Sequence, residues 1–239
     1  MQLSDFHYDP YFSIVPLKHA LQVVPGLNPD LIVLTGDFVT VPAFGSDSQA
    51  RHAAAAAEPC AALLAGLRAR LGVFAVLGNH DGASDVARIV AALRAHGIEV
   101  LRNRAVELPQ DGARLWLAGV DDVLEGVADL KKTLRGVPRD EAVVLLAHEP
   151  DFALETAQTP VDLQLSGHSH GGQVRVPFIG APWLPPLARK FPRGMYHIGD
   201  LALYTNVGLG TVRVPARWNC PPEITLITLR QPAVDQKQR

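Results

Sequence analysis

Five apolar runs, each broken off by a carboxylate, amide or imidazole, restrict the folds open to this chain more than any other feature. Leu31-Ile32-Val33-Leu34-Thr35 ends in Gly36-Asp37, and Val73-Phe74-Ala75-Val76-Leu77 ends in Gly78-Asn79-His80-Asp81. Val143-Val144-Leu145-Leu146-Ala147 ends in His148-Glu149-Pro150. The alternating run Val161 to Leu165 ends in Ser166-Gly167-His168-Ser169-His170-Gly171-Gly172-Gln173, and a short apolar start ends in Asp5-Phe6-His7. Runs of this length and make-up read as strands. Ligands of open α/β sheets gather at the carboxyl ends of strands. The pattern therefore predicts Asp5, His7, Asp37, Asn79, His148, His168 and His170 along one edge. The pairs Asp5/His7 and His168/His170 are expected on extended backbone, where alternate side chains point the same way. Gly167, Gly171 and Gly172 let the chain turn sharply and approach whatever the histidines hold.

The chain between these runs predicts helices on the outside. Residues 8–29 carry Pro10, Pro16, Pro25 and Pro29 and read as an irregular loop with at most one short helix near Leu17 to Val24. Residues 48–70 are alanine-rich and read as a helix that Pro59 interrupts or restarts. Residues 84–95 place Val86, Ile89, Val90 and Leu93 on one helical face, with Gly97 as the stop. Ile98–Leu101 reads as a strand, and 104–108 with 114–120 as a hairpin around Gln110-Asp111-Gly112. A weaker helix is expected over 123–135, a short one over 153–157, and strands through 196–230. Strand–helix alternation early and strands late predict an α/β fold of two packed sheets with outer helices. With 239 residues and 48% hydrophobic content, one domain over 1–230 followed by a polar tail, 231–239, is expected.

Composition excludes some functions. A net charge of −2 offers no global attraction to nucleic acid. Two cysteines, Cys60 and Cys220, do not make a disulfide scaffold. No apolar run reaches membrane-spanning length, and the N-terminus has no signal-peptide pattern. Met1-Gln2-Leu3-Ser4 is short for a strand, so upstream residues are expected in the full-length protein.

Seven oxygen and nitrogen ligands exceed the needs of one tetrahedral ion. Two divalent ions would use them, with Asp37 as the shared carboxylate. Such a pair, about 3.5–4 Å apart, clamps the attacking and leaving oxygens of a phosphoryl displacement. Mixed Asp, Asn and His ligands suit manganese, iron or zinc.

The order Asp-x-His, Gly-Asp, Gly-Asn-His-Asp, His, Gly-His-x-His resembles the calcineurin-like metallophosphoesterase superfamily. Gly171-Gly172-Gln173-Val174-Arg175, Gly208-Leu209-Gly210 and Asn219-Cys220-Pro221-Pro222-Glu223 are similar to its bacterial YkuE-like branch. Phe6 stands where many relatives carry leucine. The resemblance implies a four-layer α/β/β/α sandwich of two mixed sheets, the metallo-dependent phosphatase fold. It implies Asp5, His7, Asp37 and His170 on one ion, and Asp37, Asn79, His148 and His168 on the other. It implies His80 as proton donor or phosphate contact, with Asp81 orienting its imidazole. The implied activity is phosphodiester hydrolysis by a metal-bridging hydroxide. The alternatives are a UDP-2,3-diacylglucosamine-type pyrophosphatase acting on a lipid, and a non-catalytic binding protein on the same fold. The branch implies a bacterial protein, exported or membrane-anchored at full length, with the present stretch soluble. Residues 176–196 mix apolar side chains with Arg189, Lys190 and Arg193, which suggests either an acyl-chain and membrane-surface contact or an ordinary packed loop.

Overall fold

The structure is a computed structural model that describes residues 1–42, 46–109 and 114–230. In chain order its elements are β1 (Gln2–Leu3), α1 (Ile14–Leu27), β2 (Ile32–Thr35), α2 (Asp47–Ala53), α3 (Ala57–Leu64), β3 (Val73–Val76), α4 (Asn79–Gly82) and α5 (Val86–Ala95). Then follow β4 (Glu99–Val100), β5 (Arg104–Leu108), β6 (Leu115–Gly119), α6 (Leu130–Thr133), β7 (Ala142–Leu146), α7 (Ala153–Thr156), β8 (Leu163–Ser166), β9 (Gly194–Ile198) and β10 (Leu201–Thr205).

Two sheets result. One has the order β1-β2-β3-β4 and is parallel throughout, rather than mixed as expected. The other, β5-β6-β7-β8-β10-β9, is mixed, with antiparallel pairs β5/β6 and β9/β10 at its edges. Side-chain alternation along each strand sorts the layers. Ile32 and Leu34 pack with Leu17, Leu64 and Leu93 of α1, α3 and α5. Val33 between them points the other way and meets Val144, Leu146 and Leu165 of the second sheet. On the far side of that sheet, Val143 and Leu145 pack with Leu130, Phe152 and Ala153. The order is helices, sheet, sheet, helices, as expected.

Several elements differ from the sequence reading, each for a local reason. Helix α1 runs fourteen residues through a stretch expected to be mostly loop. Pro16 falls in its first turn, where a missing N–H costs nothing, and Pro25 in its last. The Asp9 carboxylate accepts from the N–H groups of Tyr11, Phe12 and Ser13 just ahead of it, and Asn28 closes it in the left-handed region. The alanine-rich helix splits into α2 and α3 around a 3₁₀ turn, with Pro59 in the first turn of α3. The helix expected over 123–135 shrinks to α6, because Asn103 and Asp122 hold the loop before it by their side chains. Beyond β10 the expected strands are replaced by single bridges, Val174 to Trp218 and Gln2 to Thr225. The backbone of this tail is spent on the site edge instead: Leu209 N donates to Ser4 O and Gly210 N to Asp5 O. The hairpin tip Gln110-Asp111-Gly112 and the tail 231–239 lie outside the described residues.

Candidate metal centre

Every predicted ligand comes from a strand's carboxyl end. Asp5 and His7 follow β1, Asp37 follows β2, Asn79 follows β3, His148 follows β7, and His168 and His170 follow β8. The parallel pairing carries on past the strands: Asp5 N donates to Gly36 O, and His7 N to Asp37 O. The two sheets thus close on each other at this edge, and His168 N donates to the Asp5 carboxylate at 2.9 and 3.2 Å.

The backbone does not use the extended conformation predicted for the i, i+2 pairs. Asp5, His7, Asp37, His168 and His170 all have positive φ, between 40° and 65°. Such conformations cost of order 1–3 kcal/mol each and persist where surrounding structure over-determines them. Asp and His are the side chains that tolerate them best after glycine and asparagine. Glycines supply the space. A Cβ on Gly36, whose φ is +93°, would lie 2.6 Å from Gly78 N and from His148 Nδ1. A Cβ on Gly208 would lie 2.6 Å from that of Asp5.

Two ligand sets form. One atom each from Asp5, His7, Asp37 and His170 lie within 4.8 Å of one another, and so do atoms of Asp37, His148 and His168. Asp37 belongs to both, with Oδ2 3.3 Å from His7 Nε2 and 3.2 Å from His148 Nε2. All these residues are buried.

The donor set fits divalent cations. Asn79 Oδ1 and His148 Nε2 are buried without a hydrogen-bond partner among the described residues. His148 Nε2 is near Asp37 but out of line for a hydrogen bond. Buried polar atoms in proteins are generally partnered; six others among the described residues share the exception, Trp116 Nε1 and Thr205 Oγ1 among them, so the weight rests on these two lying with the Asp37 cluster. Outer contacts free the right lone pairs: His148 Nδ1 donates to Thr35 O at 2.6 Å, leaving Nε2 bare, and His168 Nε2 donates to Pro186 O at 2.8 Å, leaving Nδ1 bare. Burial opposes the charge on Asp37, yet His148 and His80 hold its carboxyl well below the usual range. Burial alone would lower His148, but the Asp37 carboxylate raises it well above an ordinary imidazole. The pocket draws positive charge to the space between them, which a cation can take instead of a proton.

His80 and Asp81 sit beside the cluster in α4. His80 N donates to Asp37 Oδ1 at 2.9 Å. Burial lowers the His80 imidazole to about 4, so the ring is neutral at neutral pH. Its Nδ1 accepts from Val41 N at 2.9 Å, which puts the remaining proton on Nε2. The expected Asp81 contact to this ring is replaced. The Asp81 carboxylate accepts from the N–H groups of Phe38, Val39 and Gly78, tying the β2 and β3 loops together.

Sequence reasoning missed Arg217. Its guanidinium donates to the carbonyls of Val207, Gly210 and Cys220 and lies 3.3 Å from His170 Nδ1. A lone arginine in an irregular tail carries no signal of such a position. Cys60 and Cys220 are buried free thiols.

Comparison with known proteins finds relatives over most of the chain. The profile for calcineurin-like phosphoesterases matches residues 1–172. The chain is 39% identical over 232 residues to the metallophosphoesterase YkuE of Bacillus subtilis, covering 96% of this chain and 78% of that protein. It is 31% identical over 233 residues to the phosphodiesterase YaeI of Escherichia coli, covering 95% and 80%. Among solved structures, the NAD nucleotidase of Haemophilus influenzae superposes with a TM-score of 0.53 at 14% identity, over 87% of this chain and 44% of that one.

Proposed function

We propose, from the premise that this chain belongs to the calcineurin-like phosphoesterase family and is a metal-dependent hydrolase of phosphoric esters, that it cleaves phosphodiesters at a two-ion centre. The single observation that carries the reading is the sharing of Asp37 between two buried ligand sets. Asp5, His7, Asp37 and His170 would hold one ion, and Asp37, Asn79, His148 and His168 the other. When bound, two such ions supply Lewis-acid charge to phosphate oxygens and make water acidic enough to serve near neutral pH. Manganese, iron and zinc all suit these ligands.

The chain's own residues do the rest. Asp5 and Asp37 neutralise the added charge and are themselves fixed by backbone N–H groups of His168 and His80. Thr35 O and Pro186 O set the tautomers of His148 and His168. His80, with its proton on Nε2, gives a hydrogen bond to a phosphate oxygen or to the departing alkoxide. A neutral ring serves as such a donor without being a strong acid. Asp81 acts one step back, by holding the loops that carry Asp37 and His80.

YaeI, a phosphodiesterase by name, supports the diester over the monoester. A lipid-linked pyrophosphate is the second reading, favoured by the exposed Phe178, Ile179 and Trp183 that follow His170 closely in the chain. Turnover of bis-p-nitrophenyl phosphate with added manganese tests the proposal. His80→Ala should keep its metal and lose roughly 10²- to 10⁴-fold in rate, whereas Asp37→Ala should lose both. Full activity in either variant refutes the assignment. A panel of cyclic nucleotides, glycerophosphodiesters and UDP-diacylglucosamine separates the substrate classes.

A further inference from the structure

Three stretches meet on one side of His170. Residues 8–13 follow His7, and the Ser13 hydroxyl accepts from Thr211 N at 3.4 Å. A hairpin follows Gly172, closed by Val176 N to Gly180 O and Gly180 N to Val176 O, both at 2.8 Å. Residues 211–218 are pinned to the base of this hairpin. The Gln173 side chain accepts from Val212 N at 2.9 Å and donates to Val214 O at 2.6 Å, and Arg175 N donates to Trp218 O at 2.9 Å. The Arg213 guanidinium lies over the Trp183 ring at 4.3 Å.

The tips of all three stretches turn large apolar side chains outward. Phe178 is wholly exposed, Tyr11 is 79% and Ile179 76% exposed, and Phe12, Trp183 and Trp218 are each about half exposed. Soluble proteins seldom show so many large apolar groups together without a partner. The surrounding charge selects the partner. From Gly171 to Pro222 the chain has six basic residues and one acidic residue, Asp200, although the whole carries −2. Of the bordering acids, Asp9 and Asp151 spend their carboxylate oxygens on backbone N–H groups, and Glu223 accepts from the hydroxyls of Tyr204 and Thr225. Aromatic bodies with Arg213 stacked on Trp183 and Arg175 at the base of the hairpin suit the headgroup layer, where rings sink between lipids and cations meet phosphate. Among the described residues no helix is long and apolar enough to cross a membrane.

We propose that the rim formed by Tyr11, Phe12, Phe178, Ile179, Trp183 and Trp218 docks on an anionic lipid surface. Docking brings the edge that carries the metal centre close to that surface, so esters in or near the leaflet reach it without leaving the interface. The docking goes beyond the hydrolytic reading and does not depend on it, so it is measured without turnover.

The test uses the full chain with vesicles of phosphatidylglycerol and phosphatidylcholine in equal parts, against vesicles of phosphatidylcholine alone. Trp183 and Trp218 are two of the three tryptophans and report directly. The anionic vesicles should sediment the protein and shift its emission to the blue. The double variant Phe178→Ser/Ile179→Ser should lose both effects. Arg189→Glu/Lys190→Glu should bind roughly tenfold more weakly, or worse, since each cation near such a surface counts for several-fold. Both variants should keep the parent's melting temperature and manganese binding, which separates lost docking from misfolding. Unchanged emission with protein left in the supernatant overturns the proposal. So does full displacement by free glycerol phosphate, which would mean a headgroup pocket only. Retention on polyglutamate beads without vesicle binding overturns it in favour of an acidic protein.

Discussion

Gly78→Ala should cripple metal binding although it removes no ligand. Gly78 has φ −110° and ψ −178°, which alanine adopts freely, so the backbone gives no reason for glycine here. The reason is close approach. An added Cβ would overlap Asp37 Oδ1 and stand 2.7 Å from both Nε2 and Cε1 of His148. Ordinary contact begins at 3.4 Å, so the imidazole must retreat by about 0.7 Å. Metal–ligand distances tolerate only about 0.2 Å. His148 cannot simply rotate, because its Nδ1 is tied to Thr35 O. Manganese affinity should therefore fall by at least the roughly 10- to 100-fold that follows disturbance of an outer contact. Without metal the overpacking should cost about 1–3 kcal/mol of stability. Calorimetric manganese titration and denaturant unfolding in chelator measure the two effects. Gly66→Ala is the control, since a Cβ there meets nothing within 4 Å. A Gly78→Ala protein that binds manganese like the parent would show that the glycine is incidental and the packing argument wrong.

Asp81→Asn should destabilise the metal-free protein by about 1–3 kcal/mol, because an amide cannot accept from all three N–H groups that the carboxylate serves; urea unfolding that matches the parent rejects that role. Saturating manganese should raise the melting temperature by roughly 5 to 10 °C at a hundred times its dissociation constant. His168→Ala should shrink that rise, and an equal rise in the variant would remove His168 from the ligand set. At Asp121, burial opposes ionisation, but the two-pronged Arg102 contact at 3.0 and 2.7 Å outweighs it and holds the carboxyl below the usual range. A depressed carboxyl stabilises the fold above its ordinary pKa and loses that contribution as pH falls through the folded value. Asp121→Asn should cost about 1 kcal/mol at neutral pH, given the partial exposure of Arg102, and the gap to the parent should close in acid. A gap that stays constant with pH defeats the ionic explanation.

The strand ends were legible because two simple rules coincide in them. Period two assigns Val33 to one core and Ile32 and Leu34 to the other, and the structure divides them that way. A polar residue after each run could only end at the sheet's edge. Helix α1 was hidden because its prolines read as breakers: Pro16 stands in the first turn, where the penalty is small, whereas Pro25 lies inside the helix and is tolerated because the buried face of Leu17, Ala20 and Val24 holds the helix in place. The late alternation near Thr225 suggested strands, but Leu226 and Leu229 are half exposed, and among the described residues the stretch meets the β1 edge only through the single bridge from Thr225 to Gln2.

The sequence by itself therefore determined which side chains meet. Short-range hydrophobic patterning sets each strand, and the candidate ligands ride on their ends. Only the tertiary structure decided how they meet. Left-handed backbone at five candidate ligands, the glycine clearances around Asp37 and His148, the tautomers set by Thr35 O and Pro186 O, and the engagement of Asp81 with three backbone N–H groups rather than with His80 all depend on segments far apart in the chain. Such contacts leave no periodic trace, because each is a single encounter between surfaces that exist only once both sheets have packed.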